Sequence, residues 1–155
     1  MDDRQLMQKA IDAARDGIAR GQTPFGACIA KDGEVIVAAH NLVWAATDIT
    51  AHAEIVTIRE ACKKLGTIKL GGCTIYSTTE PCPMCFSACH WAGLDRIVFG
   101  AEIADARAAG FGELSISNSR MKELGGATMT IEGGFMRKQA VELFEIWKAL
   151  EAKPY

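Results

Sequence analysis

The 155-residue chain has no apolar run approaching the roughly 20 residues that a membrane-crossing helix requires. Its first 20 residues alternate charged with apolar positions, so they read as neither a secretory signal nor a membrane span. An excess of positive charge is also missing. Lys and Arg number 17 against 19 Asp and Glu, which argues against a protein built mainly to hold a polyanion. The C-terminal region is nearly balanced as well, with Arg137, Lys138, Lys148 and Lys153 against Glu142, Glu145 and Glu151. No internal repeat or linker composition appears, so residues 1–155 are expected to form a single domain. There is one Cys-x-x-Cys and no second pair to complete a four-thiolate structural zinc site. A chain of this size needs no disulfides. The six cysteines (28, 62, 73, 82, 85 and 89) therefore read as reduced thiols, and the expected location is cytoplasmic.

Against that background two short segments stand out: His52-Ala53-Glu54 and Pro81-Cys82-Pro83-Met84-Cys85. One imidazole and two thiolates are ligand types that zinc prefers, and three protein ligands leave a fourth position for water. That is the catalytic arrangement, and the expected cofactor is Zn²⁺. Glu54, two residues past the histidine, is placed to move protons without binding the metal. His-x-Glu followed by Pro-Cys-x-x-Cys is the known signature of zinc-dependent nucleobase deaminases. Taken alone, Pro-Cys-x-x-Cys also suits half of a structural zinc site or a redox pair. Cys89 lies four residues past Cys85 and could compete as a ligand, or pack inside its helix. Cys28, Cys62 and Cys73 read as core, and His40 and His90 as structural or surface residues.

Apolar spacing predicts a first helix from Asp2 or Asp3 to Gly21, carrying Leu6, Met7, Ala10, Ile11, Ala14 and Ile18 on one face. Strands are expected over 26–30 and 35–39 around the Asp32-Gly33 turn, over 74–78, over 96–100 and over 127–131. Residues 40–50 read as irregular, with Thr50 a candidate cap for a helix over 52–65. Further helices are expected over 83–92 and 137–152. The long polar stretch 101–126 reads as a functional loop with one short helix near 119–124. Helices alternating with strands after an initial hairpin predict a three-layer α/β/α sandwich around a mixed five-stranded sheet. Both motifs would then sit at helix N-termini, where the positive helix ends favour thiolates.

With these residues in view, the chain resembles the cytidine deaminase-like superfamily, and within it the small bacterial guanine deaminases. The likeness includes Pro24-Phe25-Gly26-Ala27, Asn41, Thr50-Ala51-His52-Ala53-Glu54 and Glu80-Pro81-Cys82-Pro83-Met84-Cys85. It continues through Trp91-Ala92, Ala109-Gly110-Phe111 and Tyr155. The resemblance implies zinc on His52, Cys82 and Cys85, and proton shuttling by Glu54. It implies a hydrogen bond from Asn41 to a purine and a ring pocket lined by Trp91, which otherwise reads as a core aromatic. Glu113 matches the family's carboxylate, and Tyr155 its last tyrosine, as parts of the purine site. Their plainer readings are a solvated loop charge and a frayed terminus. A homodimer with exchanged C-terminal segments is also implied. The implied reaction turns guanine and water into xanthine and ammonia, on a small nucleobase with no nucleic acid or membrane partner. Alternatives are guanosine, cytosine, an aminotriazine, a tRNA adenosine, or a non-catalytic zinc-binding module.

Overall fold

The computed structural model describes residues 1–155. One mixed sheet runs in the order β2-β1-β3-β4-β5, with β1 Gly26–Lys31, β2 Glu34–His40, β3 Cys73–Thr79, β4 Arg96–Ala101 and β5 Thr130–Glu132. β1 is antiparallel to both β2 and β3, while β3–β4 and β4–β5 are parallel. Asp32 and Gly33, at φ 51° and 77°, supply the two left-handed positions of a tight hairpin between β1 and β2.

Helix α1 (Asp3–Ala19) starts in a capping box: Gln5 N–H donates to Asp2 at 2.8 Å, and Asp2 N–H donates to Gln5 at 3.0 Å. It buries Leu6, Met7, Ala10, Ile11, Ala14 and Ile18, the face expected from their spacing. Its approach to β1 is so close that a Cβ on Gly26 would lie 2.2 Å from the Ala10 carbonyl oxygen. Helix α7 (Arg137–Lys148) packs beside α1 and on β4. Helices α3 (Ala53–Leu65) and α4 (Pro83–Ala92) pack together on the other side of the sheet. The expected three-layer α/β/α sandwich with its mixed five-stranded sheet is what forms.

Local differences have local causes. Residues 40–50 include a short helix, α2 (Val43–Ala46), which ends at Thr47 in a left-handed conformation. His52, not Thr50, occupies the N-cap of α3. The 101–126 connection holds two helices, α5 (Ile103–Ala108) and α6 (Asn118–Gly125). The unexpected α5 is started by a Glu102/Asp105 capping box, a pattern not tied to Ser or Thr. β5 starts later than expected because its ladder begins where Thr130 pairs with Arg96. No helix is long and apolar enough to cross a membrane.

Candidate active site

The N-termini of α3 and α4 converge at the C-terminal end of β3. His52 and Cys82 are the N-cap residues of these helices. Both have extended backbone conformations, and the His52 side chain makes no bond to its own helix. Its ring is therefore free to meet the two sulfurs. The Nδ1 of His52 lies 3.6 Å from the Sγ of Cys82 and 3.6 Å from the Sγ of Cys85. All three donor atoms fall within 4.8 Å of one another. A tetrahedral zinc with ordinary Zn–N and Zn–S bonds spaces such donors about 3.6 Å apart, so this set fits that ion. Cys89 is wholly buried in the core and stands outside the cluster.

A hydrogen bond from the Cys85 thiol, together with the His52 contact, pulls the Cys82 thiol down to about 4 despite burial. That same bond and burial push Cys85 up. The two shifts run in opposite directions because the sulfurs share one hydrogen bond. Helix position alone does not make both thiolates; a cation must supply the rest. Burial alone would lower His52, but Cys82, Glu54 and Glu113 outweigh it and raise it.

Glu54, in the first turn of α3, is buried and lies beside the ligands without belonging to the donor cluster. Ser77, on β3, donates to its Oε1 at 3.2 Å, and the Cys85 sulfur lies 3.5 Å from its Oε2. Desolvation raises its carboxyl, which suits a group that must hold a proton and release it.

The cluster opens onto a cavity of about 370 Å³ lined by Ile49, Pro83, Met84, Phe111, Glu113 and Tyr155, among others. Beside it a recess of about 10 Å³, room for about one water, is bounded by Phe25, Glu54, Thr79 and Glu80 with His52 and Cys82. The Thr79 hydroxyl is buried and has no partner within the protein. Asn41 is fully buried. Its Oδ1 accepts from the Val43 N–H at 2.9 Å, and its Nδ2 donates to the Tyr155 hydroxyl at 2.6 Å. The Tyr155 ring sits 5.5 Å from that of His52 and 5.5 Å from that of Phe111. Burial, then the nearby Cys82 thiolate, pushes Glu113 up to about 7.

His52, Cys82, Cys85, Glu54, Asn41, Glu113 and Tyr155 are thus brought to one place. Trp91 is not. It is 75% exposed, lines neither cavity, and is no core aromatic either. The reason is helical phase. Cys85, Phe86, Cys89 and Ala92 form the buried stripe of α4, and at about 100° per residue Trp91 falls on the opposite side. Within the single chain, α7 lies on the sheet and Tyr155 lies over the site. Sequence reasoning missed Ser77, Thr79 and Glu80. Alternation along β3 from Ser77 to Thr79, leading straight into the cysteine motif, was the available signal.

A family model for the cytidine and deoxycytidylate deaminase zinc-binding region matches residues 1–101. The guanine deaminase of Bacillus subtilis is 43% identical over 112 residues, covering 72% of this chain and 72% of that protein. The tRNA-specific adenosine deaminase of the same organism is 44% identical over 99 residues, covering 64% of this chain and 62% of that protein. The structure of a guanine deaminase from Nitrosomonas europaea superposes with a TM-score of 0.86 at 29% identity, covering 96% of this chain and 85% of that one. Sequence match, fold and ligand cluster agree: this chain is a deaminase and belongs to the cytidine and deoxycytidylate deaminase family.

Proposed function

We propose that residues 1–155 form one catalytic domain that hydrolyses guanine to xanthine and ammonia. The observation that carries this reading is the pair Glu113 and Tyr155 on an otherwise apolar cavity beside His52 and Cys82, with Asn41 buried behind it and donating to the Tyr155 hydroxyl. A planar purine fits between apolar walls and needs only a few directional groups to choose which carbon reacts. His52, Cys82 and Cys85 would hold zinc, which supplies the acidity that makes water nucleophilic at neutral pH. Glu54 takes the proton released as water adds at C2 and passes it to a ring nitrogen. It then takes the proton of the new C2 hydroxyl and delivers it to the departing amine. The C2–O bond forms, the C2–NH₂ bond breaks, and water's oxygen becomes the new carbonyl while the amino group leaves as ammonia. Asn41 and Glu113 orient the purine, and Tyr155 closes the cavity over it.

A second reading, action on a tRNA adenosine, is supported by the likeness to the tRNA-specific enzyme. The cavity lining speaks for the free base instead, since it contains no lysine or arginine, groups that an RNA backbone calls for. A homodimer belongs to the proposal as well, with the C-terminal segments as the elements that two copies would exchange. The outward Trp91 is the feature that supports a partner surface.

The test is an ammonia-release screen of the zinc-loaded protein across guanine, guanosine, cytosine, adenine, aminotriazines and tRNA. Guanine is expected to lead; release from cytosine or tRNA but not guanine would overturn the substrate. Glu54→Gln is expected to retain zinc and lose roughly 10²–10⁴-fold in kcat.

A further inference from the structure

Among the buried polar side chains that the proposed chemistry leaves without a task are Glu80 and Asn118. Glu80 is 9% exposed and Asn118 fully buried. Both carboxylate oxygens of Glu80 end on backbone. Oε1 accepts from the Asn118 N–H at 2.8 Å, and Oε2 accepts from the Ile103 N–H at 3.3 Å. Its own N–H donates to the Ala101 carbonyl at 2.7 Å. The Asn118 side-chain amide in turn donates to the Pro81 carbonyl at 2.6 Å. One carboxylate, two residues before Cys82, therefore holds both feet of the connection that leaves β4 and returns at α6. That connection carries Phe111 and Glu113, which line the cavity.

No cation pairs with Glu80, so the two N–H donors are what compensate its burial. An acid is the side chain this place requires. A glutamine of equal size would aim an NH₂ donor at one of the two N–H groups, leaving both unsatisfied.

We propose that Glu80 and Asn118 are positioning residues, a clasp that fixes the Glu113-bearing connection in register with the Cys82-bearing turn. Glu80 sets the connection, and Asn118 ties that connection to the ligand turn through Pro81. Substrate affinity and metal retention are thereby coupled through two side chains whose hydrogen bonds go to backbone. Glu80 lies at the edge of the small recess beside the ligands, and Asn118 lies outside both cavities. The substrate half of this statement rests on the proposed function; the mechanical half does not.

The test uses the full, zinc-loaded chain. Glu80→Gln is expected to keep one zinc per chain and to lose about tenfold amide-exchange protection over residues 103–117. It should raise KM for guanine about tenfold with kcat within about threefold, the scale set by one unsatisfied buried donor. Asn118→Asp, which removes the donor to Pro81, is expected to speed zinc release to a chelator about tenfold. Unchanged protection over 103–117 in Glu80→Gln would overturn the clasp. So would an equal loss across β3 and β4, which would make Glu80 a general stability element. Wild-type zinc release in Asn118→Asp would overturn it too, and that arm decides the matter should Glu80→Gln fail to fold. A wild-type chain inactive on guanine would refute the substrate reading alone, because exchange and zinc release are measured without it.

Discussion

Glu113 carries a charge that the folded chain resists. Its carboxyl rises from the ordinary 4.5 to about 7, through burial first and the Cys82 thiolate second. The folded protein therefore takes up a proton that the unfolded chain does not bind between those pH values. Its contribution to stability is full below about pH 4.5 and is lost as pH rises through about 7. Glu113→Gln removes the liability. In the zinc-free protein the melting temperature is expected to rise by about 2–5 °C at pH 8, after discounting for partial exposure, and to change little at pH 5. Equal gains at both pH values would contradict this account. At this scale the sequence was most informative where chemistry dictates spacing. His52, Cys82, Cys85 and Glu54 were legible because ligand type and distance along the chain are themselves the signal. Trp91 was misread because its identity says nothing of helical phase. Glu80 was seen only as part of a motif, since its backbone partners, Ile103 and Asn118, lie far along the chain.

Elements explain what residues alone do not. Two helix N-termini facing each other create the cluster, and the strand that feeds α4 also presents Ser77 to Glu54. Apolar periodicity was enough to place α1, α3, α4 and α7, whose buried stripes run for several turns. Helix α5 escaped because six Ala-rich residues give no such stripe, and its capping pair is Glu102 with Asp105. The segment after α7 has no regular structure, yet its last residue is held by Asn41, His52 and Phe111. Removing Pro154 and Tyr155 leaves α7 whole. The expected result is a melting temperature within a few degrees of wild type and a KM for guanine raised about tenfold, the loss of roughly one hydrogen bond and one ring contact. Unchanged kinetics would take the tail out of the site.

The whole molecule is a sandwich whose His52, Cys82 and Cys85 cluster joins two helices on one side of the sheet. Zinc held there binds the folded chain and finds no preformed site in the unfolded one, so it contributes directly to stability. Stripping it with a chelator should lower the melting temperature by several degrees, and adding zinc back should restore it. A melting temperature indifferent to zinc would mean that the cluster does not hold the ion. The alternation of strand and helix made this architecture readable in advance. The path of the closing segment was not, because residues 137–155 are compatible with either their own sheet or a partner's. That path has a practical side. Because the Tyr155 side chain lines the cavity, any residues attached after it begin beside the cavity. A C-terminal affinity tag or fusion partner would act as a plug, and a protein handled that way would look sluggish for reasons unrelated to its own residues. Extensions at the other end are not neutral either, because the Met1 ammonium is bonded to the Gly33 carbonyl at 2.7 Å. That contact, however, lies in the β1–β2 hairpin turn and not over the cavity, so the amino terminus is the safer place to lengthen this chain.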